Sequence, residues 1–402
     1  MLMGVKLKFK PKQSQLNFFE QNANASRFIY NNALGAIKTN YDQTGKFLPI
    51  TKLINMIPAI KKIPGCEWLK ECESSSLQQS ARNLDQGLQN FFNSKNGNRA
   101  GRPVGFPNFK KKGKCKHAFT VANNSYGIFF KDDRLKIPKL GFVKVWNAKN
   151  RFKLMTPSDD IKSATFSKDS DGCWYASLTV DFKNSSVKYT STGETDGLDV
   201  GIKTTATLKN GSVNLPERIA ILERKVKKLN RQLHRKKLGS KNREKAKAKL
   251  SKCYYTIAQI RKNFMHQLSH FIAKNVDILT VETLNIQGMM KNRKLARSIG
   301  RQGWYMLITF LKYKLEDNWK TLIQVNRSFP SSKLCSTCGY EYPNMDLSIR
   351  DWICPSCNTI HDRDQNAAKN LDNVSRWFKL TGEMITSKKN YIESISPNLG
   401  TF

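Results

Sequence analysis

Residues 196–203 read DGLDVGIK. Apolar Leu198, Val200 and Ile202 alternate with Asp199, Gly201 and Lys203, and the stretch TTATLKNG follows. Alternation leading into a turn signal predicts a strand, a tight turn and a second strand. The pattern sets Asp199 at the centre of a strand that is otherwise buried. An unpaired buried carboxylate is costly, so Asp199 calls for a metal ion or a cationic partner.

Two later stretches supply matching acids. Residues 276–283 read VDILTVET, an apolar β-rich run with Glu282 near its end. Residues 361–370 read HDRDQNAAKN, with Asp364 where a helix begins. Taken singly, these are an edge residue, a solvated strand end and a helix N-cap. Taken in this order with these flanks, they call for a shared reading, and converging carboxylates that bind paired divalent ions are what phosphodiester hydrolysis needs.

GLDVGIK, VETLN and DRDQNAAKN resemble the three acidic motifs of the RuvC-like nuclease in transposon-encoded TnpB proteins, which are similar to the ancestors of type V CRISPR effectors. The resemblance extends over nearly the whole chain. It implies an RNase H-like (RuvC) nuclease over residues 191–330 and 359–380, with Asp199, Glu282 and Asp364 holding two catalytic Mg²⁺ ions. It is the resemblance, and not periodicity, that brings the three acids together. Arg363 and Asn366 flank the last acid and are candidates to orient it or a phosphate, a solvated helix start being the alternative for both.

Composition points the same way. The 402 residues include 69 Lys and Arg against 31 Asp and Glu, a formal net charge of +38, and 39% are hydrophobic. Such an excess fits a polyanionic partner, nucleic acid before an anionic membrane. No run is long and apolar enough to span a bilayer, and MLMGVKLKFKPK lacks a signal-peptide core. The expected location is the cytoplasm of a prokaryotic cell, at the nucleoid when bound to DNA. Five of the nine cysteines are scattered, which argues for a reducing compartment rather than a disulfide scaffold.

In chain order, GVKLKFK (4–10) reads as an amphipathic strand, residues 13–42 as a helix and 74–93 as a second helix capped by its serines. RFIYNNAL and GRPVGFPNFKKKG also resemble motifs of the family. The resemblance implies that Gln78, Gln79 and Arg82 help read a short duplex motif beside the target, a solvated face being the alternative. The connector at 94–117 carries Lys110, Lys111, Lys112, Lys114 and Lys116 beside aromatic residues, which favours a phosphate-contacting loop over a free linker. Short alternating runs over 118–185, including KLMTP at 153–157, predict an antiparallel β-domain, a small barrel that takes in the first strand. The fold class expected is therefore α/β and multidomain. A β-barrel wedge domain (1–12 and 113–190) carries a helical recognition insertion (13–112). The nuclease follows, with a zinc ribbon (331–358) inserted and a mobile tail (381–402).

Within the nuclease, two heptad-like series around LGSKN predict an antiparallel helical hairpin over about 219–271. A basic loop at 285–303 carries Arg293, Arg297 and Arg301, and a helix with Trp304 to Trp319 leads to the strand TLIQVN. Residues 335–357, CSTCGYEYPNMDLSIRDWICPSC, set Cys335, Cys338, Cys354 and Cys357 as two pairs of C-x-x-C. That is the spacing of a structural four-cysteine zinc site, with no position open for catalysis. His361 reads as part of the acidic motif rather than as a ligand.

The leading function is an RNA-guided DNA endonuclease of a transposable element. Its partners would be a guide RNA from the transposon end and a double-stranded DNA target, with no membrane, and it would act as a monomer with its RNA. A guided DNA-binding repressor without cleavage, a DNA transposase and a structural nucleic-acid-binding protein are the alternatives.

Overall fold

The computed structural model describes residues 2–9, 11–123, 127–131, 133–146, 160–182, 189–343, 345–346, 348–385 and 391. The chain divides into two compact units, Met1–Ser185 and Ser186–Phe402.

In the first unit, strand β1 (Leu2–Lys8) is followed by the long helix α1 (Gln13–Thr44), two short helices, α2 (Ile50–Asn55) and α3 (Ile57–Ile60), and α4 (Ser74–Lys95). The prolines at 49 and 58 hold α2 and α3 to one or two turns. Glu73, not a serine, caps α4, its carboxylate accepting from the Ser75 backbone N–H. The remaining strands are β2 (Ala118–Ala122), β3 (Phe129–Lys131), β4 (Arg134–Ile137), β5 (Gly141–Lys144), β6 (Asp160–Lys168) and β7 (Trp174–Asp181). They form an open antiparallel sheet of order β1-β7-β6-β2 and a separate meander β3-β4-β5. An isolated Phe9–Val145 bridge links the two. No closed barrel forms among the described residues, because the meander strands are three or four residues long and their ladder stops after that single bridge. The KLMTP run lies outside the described residues.

Aromatic packing explains why α1 sits on this sheet. Phe19 is fully buried with its ring 5.1 Å from Trp174, and Phe9, Phe119 and Phe166 complete the cluster. Further along, Ala33, Leu34 and Ile37 of α1 pack with Ala81, Leu84 and Leu88 of α4. These are the helical-spacing residues of the sequence, so both apolar faces are spent on core.

The second unit is built on three parallel strands, β8 (Thr195–Leu198), β11 (Ile278–Glu282) and β12 (Thr321–Val325), in the order β12-β11-β8. An antiparallel pair, β9 (Ala206–Leu208) and β10 (Gly211–Val213), continues from β8 through an Asp199–Thr207 bridge. Between β10 and β11 runs the hairpin of α5 (Glu217–His234) and α6 (Lys241–Asn275), closed by Ile219, Val226, Leu250, Cys253 and Ile257. The basic stretch after β11 is not a plain loop: it forms α7 (Ile286–Met289) and α8 (Ala296–Gln302) before α9 (Trp304–Glu316). Trp319 falls beyond α9, 89% exposed and in a left-handed backbone conformation, φ 60°, rather than on the helix's apolar stripe.

The final elements are the hairpin β13 (Asp351–Ile353) and β14 (Ile360–Asp362) and the helix α10 (Arg363–Thr381). α10 lies directly on β8. A Cβ at Gly197 would fall 2.1 Å from the Ala368 carbonyl oxygen and 2.4 Å from the Asp372 nitrogen. The glycine of the DGLDVG stretch is thus the residue that lets helix backbone meet strand backbone. Of the expected mobile tail, only 381–385 and Tyr391 are described; Tyr391 is buried and its hydroxyl donates to Asn370 Oδ1.

Candidate active site and metal centre

The three acids belong to one unit. Asp199 sits just past the C-terminal end of β8, not at a strand centre, with its backbone paired to Thr207 at 2.9 and 2.8 Å. Glu282 is the last residue of the parallel neighbour β11. Asp364 lies in the first turn of α10, whose N-cap is Asp362, the Asp362 side chain accepting from Gln365 N–H at 2.8 Å. Equivalent ends of adjacent parallel strands and the start of the helix packed on them therefore supply the three carboxylates.

Burial first, and then the negative charges of Glu282 and Asp364, raise the Asp199 carboxyl to about 7 against the opposing Val200 backbone N–H and Arg363. Burial also raises Glu282, opposed by the hydrogen bond from Ser331 Oγ. Asp199 and Glu282, both raised and without a cationic hydrogen-bond partner of their own among the described residues, fit a divalent cation, which would relieve the cost of their burial.

Two partners escape sequence reasoning. Arg350 Nη1 donates to both oxygens of Asp364, at 2.9 and 2.7 Å. The register of the ribbon hairpin puts it there: Asp351 pairs with Asp362, and the Arg363 N–H donates to the Arg350 carbonyl at 2.7 Å. Gln302, at the end of α8, is buried and accepts from Thr205 Oγ1 at 2.9 Å while donating to the Ile202 carbonyl at 2.7 Å. It pins the turn that follows Asp199. No local pattern marks either residue.

Arg363 has its Nε 3.6 Å from Asp364 and donates from Nη1 to the Ile349 carbonyl at 3.1 Å. Asn366 takes a different place from the one expected. It is buried and spends both amide ends on the ribbon, donating to the Leu334 carbonyl at 2.6 Å and accepting from Ser336 N–H at 2.9 Å. Asn370 continues the row, donating to the carbonyls of Ser331 and Leu334 at 2.5 and 2.7 Å. The spacing of Asn366, Asn370 and Asn373 on one helical face was the readable signal for this clamp.

Cys335, Cys338, Cys354 and Cys357 converge so that all four sulfurs lie within 4.8 Å of one another. Among the described residues the three carboxylates do not close to that spacing. The Cys335–Cys357 and Cys338–Cys354 sulfur pairs are each 3.6 Å apart. Sulfurs around a tetrahedral zinc, with bonds of about 2.3 Å, stand about 3.8 Å apart, so the quartet fits that ion. The two knuckles share a backbone: Gly339 and Asn358 each follow a second cysteine, at φ 73° and 57°, and donate to the Cys335 and Cys354 carbonyls. His361 is buried with Nε2 3.0 Å from Cys335 Sγ, so it abuts the quartet without joining it.

The candidate nucleic-acid contacts scatter. Arg82, Lys111, Lys112, Lys114, Lys116, Arg293 and Arg297 are exposed, while Gln78 and Gln79 are half-buried, Gln79 donating to Asn83. Lys110 is no free phosphate contact: its ammonium lies 3.7 Å from the Tyr30 ring centre, and Asn31 holds its backbone at both ends. Arg301 pairs with Glu223 at 3.4 Å. No helix among the described residues is long and apolar enough to cross a membrane.

With this geometry in place, the comparisons with known proteins are consistent. Three family models match: "Helix-turn-helix domain" over residues 1–46, "Probable transposase" over 177–293 and "Cas12f1-like, TNB domain" over 304–371. An Escherichia coli (strain K12) protein named "Putative RNA-guided DNA endonuclease InsQ" is 28% identical over 402 residues, 96% of this chain and 95% of that one. A Streptomyces pristinaespiralis protein named "Putative RNA-guided DNA endonuclease" is 28% identical over 375 residues, 91% of this chain and 87% of that one. A solved structure, titled as a Cas12f1-sgRNA-target DNA complex, superposes with a TM-score of 0.53 at 14% identity, over 92% of this chain and 98% of that one. The fold is mixed α/β and Cas12f1-like, and the chain carries a cysteine cluster. The chain belongs to the transposon-encoded TnpB family.

Proposed function

We propose that this protein is an RNA-guided DNA endonuclease of a transposable element. The observation that carries the reading is the placement of Asp199 and Glu282 at equivalent ends of adjacent parallel strands and of Asp364 in the first turn of the helix packed on them. The strand sequence β10-β9-β8-β11-β12, with β8 joined to β9 by the Asp199 bridge, supports an RNase H-like (RuvC) nuclease over 191–330 and 359–380. Residues 331–358 are its zinc ribbon. The first unit would hold a wedge domain (1–12 and 113–190) and a helical recognition insertion (13–112).

Asp199, Glu282 and Asp364 would hold Mg²⁺. A pair of such ions held there would supply water activation and charge stabilisation at the leaving oxygen of a phosphodiester. The chain's own residues set up that chemistry. Ser331 fixes the Glu282 carboxylate and is itself fixed by Asn370. Arg350 and Arg363 bring positive charge beside Asp364, where a scissile phosphate accumulates negative charge. The four cysteines would hold one structural zinc, which fixes the loop that delivers Arg350.

Backbone contacts from so basic a chain give affinity without an address, so the relatives' named dependence on RNA fits a guide that reads the target by base pairing. The test is to purify the chain with the RNA encoded at its transposon end and assay cleavage of plasmid DNA. Changing the guide segment should move the cut. Cleavage of one fixed sequence without RNA would replace this reading with an autonomous endonuclease or transposase.

A further inference from the structure

A second cavity in the nuclease unit is built where α8 meets the α5–α6 hairpin, and the acids play no part in it. It has a volume of about 560 Å³. Arg261 of α6 and Arg297 and Arg301 of α8 line it with Lys227 and Arg231 of α5, five cations against the one carboxylate of Glu223. The Arg261 Nε is buried and has no hydrogen-bond partner among the described residues, its Nη1 donating to the Gly300 carbonyl at 3.3 Å, while the buried Arg301 Nε faces the Glu223 carboxylate at 3.4 Å. Burial pulls the Arg261 guanidinium below its ordinary value, and Arg301 adds to the effect while Glu223 opposes it. Val226 and Ile257 give the cavity an apolar, buried floor.

Its rim carries an aromatic ring. Tyr254 is 51% exposed, and its hydroxyl accepts from Asn230 Nδ2 at 3.3 Å, which holds the ring at the mouth. Five clustered cations against one carboxylate, with a buried Arg261 donor left unmet, beside a fixed exposed ring over an apolar floor, match the chemistry of an unpaired nucleotide. The guanidinium donors bind the phosphodiester, and the ring stacks on the base. A protein or lipid ligand would leave the stacking ring unused.

We infer that this cavity binds one phosphodiester of a single-stranded nucleic acid through Arg261, Arg297 and Arg301, with its base stacked on Tyr254. The inference rests on the nucleic-acid-binding part of the proposed function and not on cleavage. One nucleotide bound there would anchor a strand without regard to its base, because every base offers a ring face.

The test uses the full chain with two probes, a 12-nucleotide oligouridine RNA and a 12-nucleotide oligothymidine DNA, each carrying one 5-iodopyrimidine. Irradiation should crosslink the base to the peptide that holds Tyr254, identified by mass spectrometry. The probe that crosslinks more strongly names the strand. Arg297→Ala should weaken binding of that probe by about threefold to tenfold and lower the slope of log affinity against log salt by about one. Arg261→Gln, which keeps a donor should full removal unfold the hairpin, should do the same with an unchanged melting temperature. Crosslinks confined to other peptides, or an Arg297→Ala salt slope equal to that of the parent, would overturn the site. Asp199→Ala should leave crosslink and slope intact. A chain that cleaves with its RNA but gives no Tyr254 crosslink sinks the cavity alone; one that crosslinks but never cleaves sinks the nuclease reading alone.

Discussion

Arg350 and Asp364, fourteen residues apart and separated by both strands of the ribbon, are joined by one Nη1 donating to both carboxylate oxygens at 2.9 and 2.7 Å. The hairpin beside the cysteine cluster therefore reaches the acids with a cation, and the zinc proposed for that cluster is expected to matter to chemistry through this residue. Arg350→Ala should lower RNA-guided cleavage by about tenfold to a hundredfold. Zinc content should stay at the parental value, and the divalent-ion concentration giving half-maximal cleavage should not rise, since a competing cation has left Asp364. A rise in that concentration in step with the lost rate would reduce Arg350 to a support for the metal-binding carboxylate.

The acids themselves should behave as a set. Asp199→Ala, Glu282→Ala and Asp364→Ala each remove a carboxylate from a cluster already overcharged, and none touches the exposed lysines and arginines. Each variant should lose cleavage by about a thousandfold or more, yet bind RNA within about twofold of the parent. Gel-shift and plasmid-cleavage assays on the same preparations check both. Retained Mg²⁺-dependent cutting in any one variant would remove that residue from the site.

Gly197→Ala is expected to be among the most damaging small substitutions in the chain. The new methyl would meet α10 backbone at 2.1 and 2.4 Å and Leu371 Cβ at 2.5 Å, and neither strand nor helix has a flexible side chain there to move aside. Overpacking of this kind costs about 3 kcal/mol. Urea denaturation should show a midpoint lowered accordingly, with cleavage lost because β8 carries Asp199 and α10 carries Asp364. A parental midpoint would mean that the two elements are not packed as described.

The elements that carry the three acids were legible in the sequence, whereas their meeting was implied only by the family resemblance and Asp199, expected at a strand centre, lies just past the end of β8. The strand alternation around Asp199, the apolar run before Glu282 and the helical pattern after Asp364 each announce an element, and the cysteine spacing announces its knuckles. What was not legible depends on tertiary closure. Arg350 lies in an irregular stretch between two C-x-x-C pairs and reads as solvated until the β13–β14 register returns it to Asp364. Asn366 stands two residues from the acid in sequence, but a helix turns it about 200° away, onto the ribbon. Trp319 fits an apolar period, yet α9 has already ended at Glu316. The open sheets of the first unit depend on which short strands pair, and alternation alone does not specify partners.

Zinc removal should uncouple the ribbon from the helix that bears Asp364. Metal analysis of the purified chain should give about one zinc per molecule, the stoichiometry of a closed four-thiolate site. Cys354→Ser should lower that content, and hydrogen exchange should speed up over residues 331–366, where Asn366 and Asn370 grip the Leu334 carbonyl. Exchange unchanged from the parent after zinc loss would mean that the asparagine clamp, not the metal, holds the ribbon.

The last expectation concerns acid sensitivity at Asp277, the residue that fastens the entry to β8. Its Oδ2 accepts from Ser191 Oγ at 2.6 Å and from the backbone N–H groups of Thr192 and Gly193 at 2.8 and 2.6 Å, and Oδ1 lies 3.0 Å from Lys320 Nζ. Burial works to raise this carboxyl, but the Ser191, Lys320 and Gly193 partners overcome it and lower it to about 2, from an ordinary 3.8. A carboxyl held lower when folded than unfolded gives stability that is complete above about pH 5 and drains away as pH falls towards 2, here about 2 kcal/mol. Asp277→Asn should therefore lower the urea midpoint at pH 7, and the gap from the parent should narrow steadily below pH 4. The loss at pH 7 should come with slower cleavage, because residues 191–193 set where β8 begins and so where Asp199 ends. A gap that stays constant from pH 7 to pH 3 would show that the asparagine disturbs packing alone and that the charge on Asp277 contributes nothing to holding the strand.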